Sequence, residues 1–220
     1  MPQMYFFAAA AVPNDFATLF ISFVSLILLV VLLYIGVFRK NRSAKAEKQQ
    51  GRDRGKEKVV NAVRSFARQN QFRLISPAPF ARNGENAGLD AVVVGYFGVL
   101  GVISLGYNGT IYGDANDESW VQVTDDKSRR TFQNPIREAA LGVRTVRDAL
   151  FGEKLKKVPV EVLYVFCDEK VQLALPRSVQ PMTLKDFKAL LKKDKYQEDC
   201  GLDMDKVENA LRAALAKQPE

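Results

Sequence analysis

The chain has 220 residues, 47% hydrophobic and 26% charged, with a formal net charge of +7 and no histidine. That length holds one ordinary domain beside a short extra segment. The missing histidine excludes histidine general bases, histidine metal ligands and histidine phosphodiesterase chemistry.

Residues 1–15 carry Asp15 but no Lys or Arg, and Phe16 to Phe38 is a run of 23 residues without a charge. At about 1.5 Å of rise per residue the run spans roughly 34 Å, enough to cross a hydrocarbon core of about 30 Å. A cleavable signal peptide would want a basic start, a shorter apolar run and a small-residue cleavage site. The sequence therefore predicts a retained transmembrane helix over 16–38.

Arg39, Lys40, Arg42 and Lys45 follow at once. The positive-inside bias places the short N-terminus outside the cell membrane and the rest of the chain in the cytoplasm. These four residues read as a topology signal in a solvated linker (39–54) and as candidates for contact with anionic lipid. Residues 39–58 hold nine Lys or Arg against three acids, which leaves residues 59–220 at only +2. A domain that grips duplex nucleic acid ordinarily shows a clustered basic face, and the overall charge gives no support for one. Cys167 and Cys200 are far apart in no CxxC pattern, as free thiols in a reducing compartment would be.

A helix is expected over about 54–69, with Val59, Val63, Phe66 and Ala67 on one face. A short strand over Phe72–Ile75 would be stopped by Pro77 and Pro79, and residues 81–88 read as a loop. From Leu89 to Gly109 two near-continuous Val/Ile/Leu runs flank a turn bracketed by Gly95, Gly98 and Gly101. Such runs imply two strands covered on both faces. Thr110–Gly113 and Trp120–Val123 alternate like a third and a fourth strand around the turn 114–119. Residues 125–130 read as a charged loop.

Asn134-Pro135 opens a helix to about Phe151, with Ile136, Ala140, Val143, Val146 and Leu150 as its expected buried face. Val160–Cys167 reads as a buried strand and Val171–Leu175 as a short one. Thr183 and Asp186 form a capping-box pattern ahead of Phe187, Leu190 and Leu191. A last helix over about 204–217 shows Met204, Val207, Leu211 and Leu215. The fold class is α/β, an α+β mixed sheet flanked by helices. The domain is expected at 55–193, with a helical extension at 194–220.

Most familiar chemistry is missing. Gly95-Tyr96-Phe97-Gly98 lacks the Gly-Lys-Ser/Thr of a phosphate loop. Ser104 has no nucleophile elbow. Cys167 at a strand end reads as core, and Trp120 reads as core rather than a base-stacking platform.

One ordered series of residues does point somewhere. It comprises the first helix, Leu89-Asp90 opening a hairpin, Gly98 between its strands, Val102-Ile103, and Tyr107-Asn108-Gly109-Thr110-Ile111-Tyr112-Gly113. Trp120, Asn134-Pro135-Ile136 and the strand Val158–Phe166 follow. Over residues 55–193 this series resembles the nuclease-related domain (NERD) family, a branch of the restriction-endonuclease-like fold, here in a bacterial-type membrane protein. The resemblance implies a second hairpin strand that ends acid–x–lysine in active relatives. The acid and the hairpin aspartate would bind a divalent metal, and the lysine would activate water and stabilise phosphate charge.

The corresponding residues here are Ser104-Leu105-Gly106. Only Asp90 carries over as a metal candidate, and it could instead cap a turn or stay as a relic. The family's helix-1 glutamate follows a glycine. Here Lys56 follows Gly55, and Glu57 is one place late. Glu138 stands near a family glutamine after the Asn-Pro pair. Glu85, Asp114, Asp117, Glu118 and Lys127 are the candidates for relocated groups. The expectation is a degenerate site, a pseudoenzyme: a non-catalytic binding or scaffold module with no cofactor, holding a protein partner or, weakly, nucleic acid. The alternative is a Mg²⁺-dependent nuclease acting on DNA or RNA with relocated residues.

Overall fold

The computed structural model describes residues 54–82 and 85–215. The expected transmembrane helix at 16–38 lies outside the described residues, as do Arg39, Lys40, Arg42 and Lys45. Among the described residues no helix is long and apolar enough to cross a membrane.

Helix α1 covers residues 54–69. Strands β1 (Arg73–Ile75), β2 (Ala78–Arg82), β3 (Glu85–Leu89), β4 (Ala91–Gly95), β5 (Gly98–Leu105), β6 (Thr110–Tyr112), β7 (Ser119–Val123) and β8 (Arg129–Gln133) follow. Helix α2 (Pro135–Gly152), β9 (Val160–Phe166), β10 (Gln172–Ala174), β11 (Met182–Thr183), α3 (Leu184–Leu190) and α4 (Met204–Ala213) complete the order.

The central sheet has the order β1-β4-β5-β9-β11. Its first two pairings are antiparallel and its last two parallel. Every residue of β4 and β5 is buried, because both faces of the hairpin are covered. Ala91, Val93, Leu100 and Val102 share one apolar cluster with Val59, Val63 and Phe66 of α1 and Phe187 of α3. Val92, Val94, Val99, Ile103 and Leu105 share the other with Val146 and Leu150 of α2 and Val207 and Leu211 of α4. Each such side chain contributes about 1.5–3 kcal/mol by leaving water.

Gly98 closes the hairpin at φ +125°. A Cβ there would lie 2.4 Å from the Pro159 carbonyl oxygen. That oxygen accepts the Val99 N–H at 2.9 Å, which starts the β5–β9 pairing. Only glycine lets the two backbones approach so closely in that conformation.

The expected mixed α/β architecture is present, but as more than one sheet. A second mixed sheet has the order β10-β6-β7-β8, and β2 pairs with β3 as a separate ribbon. That ribbon corrects the expected loop at 81–88. Ala78, Phe80, Ala87 and Leu89 are buried, and the register runs from Ala78↔Leu89 to Arg82↔Glu85. In the sequence Pro79 is a stop signal. In a two-stranded ribbon half of each strand's N–H groups face away from the ladder, so a proline is tolerated.

Strand β8 corrects the charged loop expected to reach residue 130. Of its five residues only Phe132 is buried, so it carries no apolar alternation. The α2 face is also rotated from expectation. Ala139, Gly142 and Thr145 are buried with Val146 and Leu150, whereas Ile136, Ala140 and Val143 are not. Helix α4 ends at Ala213, short of 217, and Leu215 instead forms an antiparallel bridge with Phe80.

Candidate functional site

Asp90 lies in a bend between β3 and β4 rather than within a strand. Its N–H donates to the Val102 carbonyl at 2.9 Å, and its own carbonyl accepts the Ser76 hydroxyl at 2.8 Å. The backbone is thus fixed and the carboxylate is aimed at the end of β5. There Oδ2 accepts the Ser104 N–H at 2.5 Å.

Ser104 is 2% exposed, and its hydroxyl has no hydrogen-bond partner among the described residues. A buried hydroxyl left unsatisfied costs about 1–3 kcal/mol. The cause lies in the register: β5 is clamped between β4 and β9, and its backbone groups already serve its neighbours and Asp90.

Helix α1 reaches the same place through Gly55. A Cβ on Gly55 would lie 2.9 Å from the Cys167 sulfur and 3.2 Å from its carbonyl oxygen. The first described turn of α1 therefore lies close against the end of β9, which brings Lys56 over the end of β5. Cys167 itself is core, as its position suggested. It is 3% exposed, its sulfur donates to the Leu105 carbonyl at 3.3 Å, and burial pushes its thiol up to about 11. Such a thiol is a poor nucleophile at neutral pH.

Helix α2 supplies Glu138 from its first turn, and Asn134 caps that turn by accepting the Ile136 N–H at 2.9 Å. Strand β8 supplies Arg130. Together Lys56, Asp90, Ser104, Gly106, Tyr107, Arg130 and Glu138 line a cleft of about 240 Å³. Burial raises the Glu138 carboxyl above its ordinary pKa and the Asp90 charge adds to the rise, while Lys56 opposes both. The acidic donors to a cation here are two carboxylates, and two basic side chains share the space. Among the described residues no ion pair engages Lys56 or Arg130.

The structure thus brings Asp90, Ser104, Gly106 and Glu138 together, whereas Glu57, Asp114, Asp117, Glu118 and Lys127 do not line the cleft. Glu57 is exposed on α1 and does not line the cleft. Asp117 accepts the Asp114 N–H at 2.8 Å inside its own turn. Glu118 lies 3.8 Å from Arg137, Glu85 opens β3, and Lys127 sits at φ +60° in the turn before β8. Sequence reasoning missed Arg130, because the strand that carries it has no apolar pattern. Lys56 has a signal, its place directly after Gly55, but in the sequence that place is only a departure from the family pattern.

A pH-dependent result follows from Glu138. A carboxyl whose folded pKa is raised costs nothing below its unfolded value, near 4.5. As pH rises past that value the unfolded chain releases its proton first, and stability falls until the folded pKa is passed. Glu138→Gln is therefore expected to be more stable than the parent at pH 7 and equal to it near pH 3. Urea unfolding at the two pH values checks this.

A family model described as nuclease-related domain (NERD) matches residues 51–167. No curated protein and no solved structure matches the chain.

Proposed function

The chain belongs to the nuclease-related domain family, and on that premise we propose that it is a non-catalytic binding module of a nuclease-type fold, anchored at the cytoplasmic face of the cell membrane. The observation that carries this reading is the end of β5. Active relatives are expected to place an acid and a lysine there, whereas this chain places Ser104 and Gly106. Gly106 offers no charge to activate water or to stabilise phosphate, and a neutral serine hydroxyl is a weak ligand for a hard cation. The Asp90 carboxylate meanwhile serves as acceptor for the Ser104 N–H, a structural task. The uncharged run at 16–38 and the basic residues after it support the anchoring and the orientation.

A second reading has its own observation. Lys56 and Glu138 share the cleft with Asp90, so a lysine and a second acid have reached the site from helices α1 and α2. A metal-dependent nuclease with relocated groups would need a lysine and a second acid at this place.

The two readings separate in one experiment. The full chain in detergent is incubated with single- and double-stranded DNA and RNA in Mg²⁺ or Mn²⁺. The expected result is no cleavage above that of Asp90→Ala. Cleavage abolished by both Asp90→Ala and Lys56→Ala would establish the nuclease reading instead.

A further inference from the structure

We propose that Lys56 is the resident cation of this cleft: it takes the place of a divalent metal beside Asp90 and Glu138, and with Arg130 it takes up an oxyanion without a metal. The inference rests on the non-catalytic reading and names the ligand chemistry of the same site.

The residues present do not fit a divalent metal. Mg²⁺ demands oxygen ligands in near-octahedral geometry and is held by carboxylates. Here two carboxylates are matched by two basic side chains in the same space. One carboxylate already accepts a backbone N–H, and among the described residues no three acidic or thiol groups gather at any point. A dication would sit among charges that already balance, next to an ammonium and a guanidinium that repel it.

The same residues suit an oxyanion. Lys56 and Arg130 line the cleft with no ion pair among the described residues. Ser104 lines it too, and its buried hydroxyl has no hydrogen-bond partner among the described residues. Buried polar groups are nearly always hydrogen-bonded, so the orphaned Ser104 hydroxyl marks the end of β5 as a place short of a partner. Guanidinium and ammonium donors bind such oxygens as charge-assisted hydrogen bonds. A cleft of about 240 Å³ holds a phosphate-sized group and a few waters.

The test uses the full chain in detergent with two probes. One is inorganic phosphate in the presence of a chelator, read as a thermal shift. The other is Mn²⁺, read as loss of its free-ion resonance signal. Phosphate is expected to raise the melting temperature of the parent, and Lys56→Gln is expected to weaken its binding by about tenfold, the worth of one charge-assisted hydrogen bond. The parent is expected to bind no Mn²⁺ in an Asp90-dependent way. Lys56→Glu is expected to gain a Mn²⁺ site that Asp90→Asn then removes. Lys56 is exposed on α1, so these variants should fold, and circular dichroism checks that they do.

The proposal is overturned if phosphate gives no shift, if its shift survives Lys56→Gln unchanged, if the parent binds Mn²⁺ through Asp90, or if Lys56→Glu gains no Mn²⁺ site. Mn²⁺ binding without cleavage would defeat this inference alone, whereas cleavage would defeat the non-catalytic reading beneath it.

Discussion

Trp120→Ala is expected to lower the unfolding free energy by about 3–5 kcal/mol, the usual cost of truncating a fully buried tryptophan. Trp120 is 0% exposed. Its ring stacks on Phe166 of β9 at 6.5 Å and meets Tyr164 and Phe132 edge-on at 6.3 and 6.4 Å. It is thus the pin between the second sheet, which carries β7 and β8, and the central sheet, which carries β9. The indole N–H donates to the Asp114 carbonyl at 2.9 Å. Gly113 leaves room for the ring, since a Cβ there would lie 2.3 Å from it.

Trp120→Phe separates two contributions. It keeps most of the apolar contact and loses the hydrogen bond, so its cost is expected to be smaller than that of alanine. Far-UV circular dichroism in urea is the right measurement, because the chain has a single tryptophan and the variants lose its fluorescence. A loss under about 1 kcal/mol for Trp120→Ala would contradict a packed core at this point. The change reaches the cleft as well, because Phe132 stacks on Tyr107 at 4.0 Å and Tyr107 lines the cleft wall.

How much of this was legible in the sequence depends on how each element earns its burial. The β4–β5 hairpin was readable because both of its faces are covered, which makes its sequence a continuous apolar run. Helix α1, with Val59, Val63 and Phe66, and the Thr183 capping box with both of its hydrogen bonds were readable because periodicity and capping are local. The β2–β3 ribbon was not. Pro79 and Gly88 stand at its outward positions and read as breakers, and its partner for burial is distant in sequence. Strand β8 was illegible for a similar reason, since one phenylalanine among charged residues cannot announce a strand.

The site divides along the same line. Asp90, Ser104 and Gly106 were found because they sit on the readable hairpin. Glu138 was found through the Asn-Pro pair that starts α2. Arg130 arrives from the unreadable strand. The importance of Lys56 depends on the close approach of Gly55 to Cys167, a tertiary contact that no local pattern encodes.

Asn134→Ala is expected to cost about 2–3 kcal/mol, through loss of a helix cap together with partners for nearby backbone groups. Asn134 is 0% exposed. Its amide donates to the carbonyls of Asp114, Ala115 and Asp117 at 3.2, 3.1 and 2.7 Å, while its side-chain oxygen accepts the Ile136 N–H at 2.9 Å. One side chain thus holds the 114–117 turn against the start of α2.

Two variants separate these tasks. Asn134→Ser keeps an acceptor for the cap and is expected to recover about 1 kcal/mol of the loss. Asn134→Asp keeps the acceptor too, but sets a carboxylate against three carbonyl oxygens. Its folded pKa is therefore expected to rise, so its stability should fall further as pH increases from 3 to 7, whereas that of Asn134→Ser should not.

The loss should also be coupled to that of Trp120, because both side chains donate to the Asp114 carbonyl. In the double alanine variant the two costs should not add, since residues that share a partner show coupling energies of about 0.5 kcal/mol or more. Simple additivity would mean that the turn does not tie β7 to α2. The tie matters for the cleft, since α2 carries Glu138 one turn after Asn134. Loosening it should shrink the pH-dependent difference between the parent and Glu138→Gln, because a Glu138 freed from its buried position no longer feels the burial and the Asp90 charge that raise its pKa.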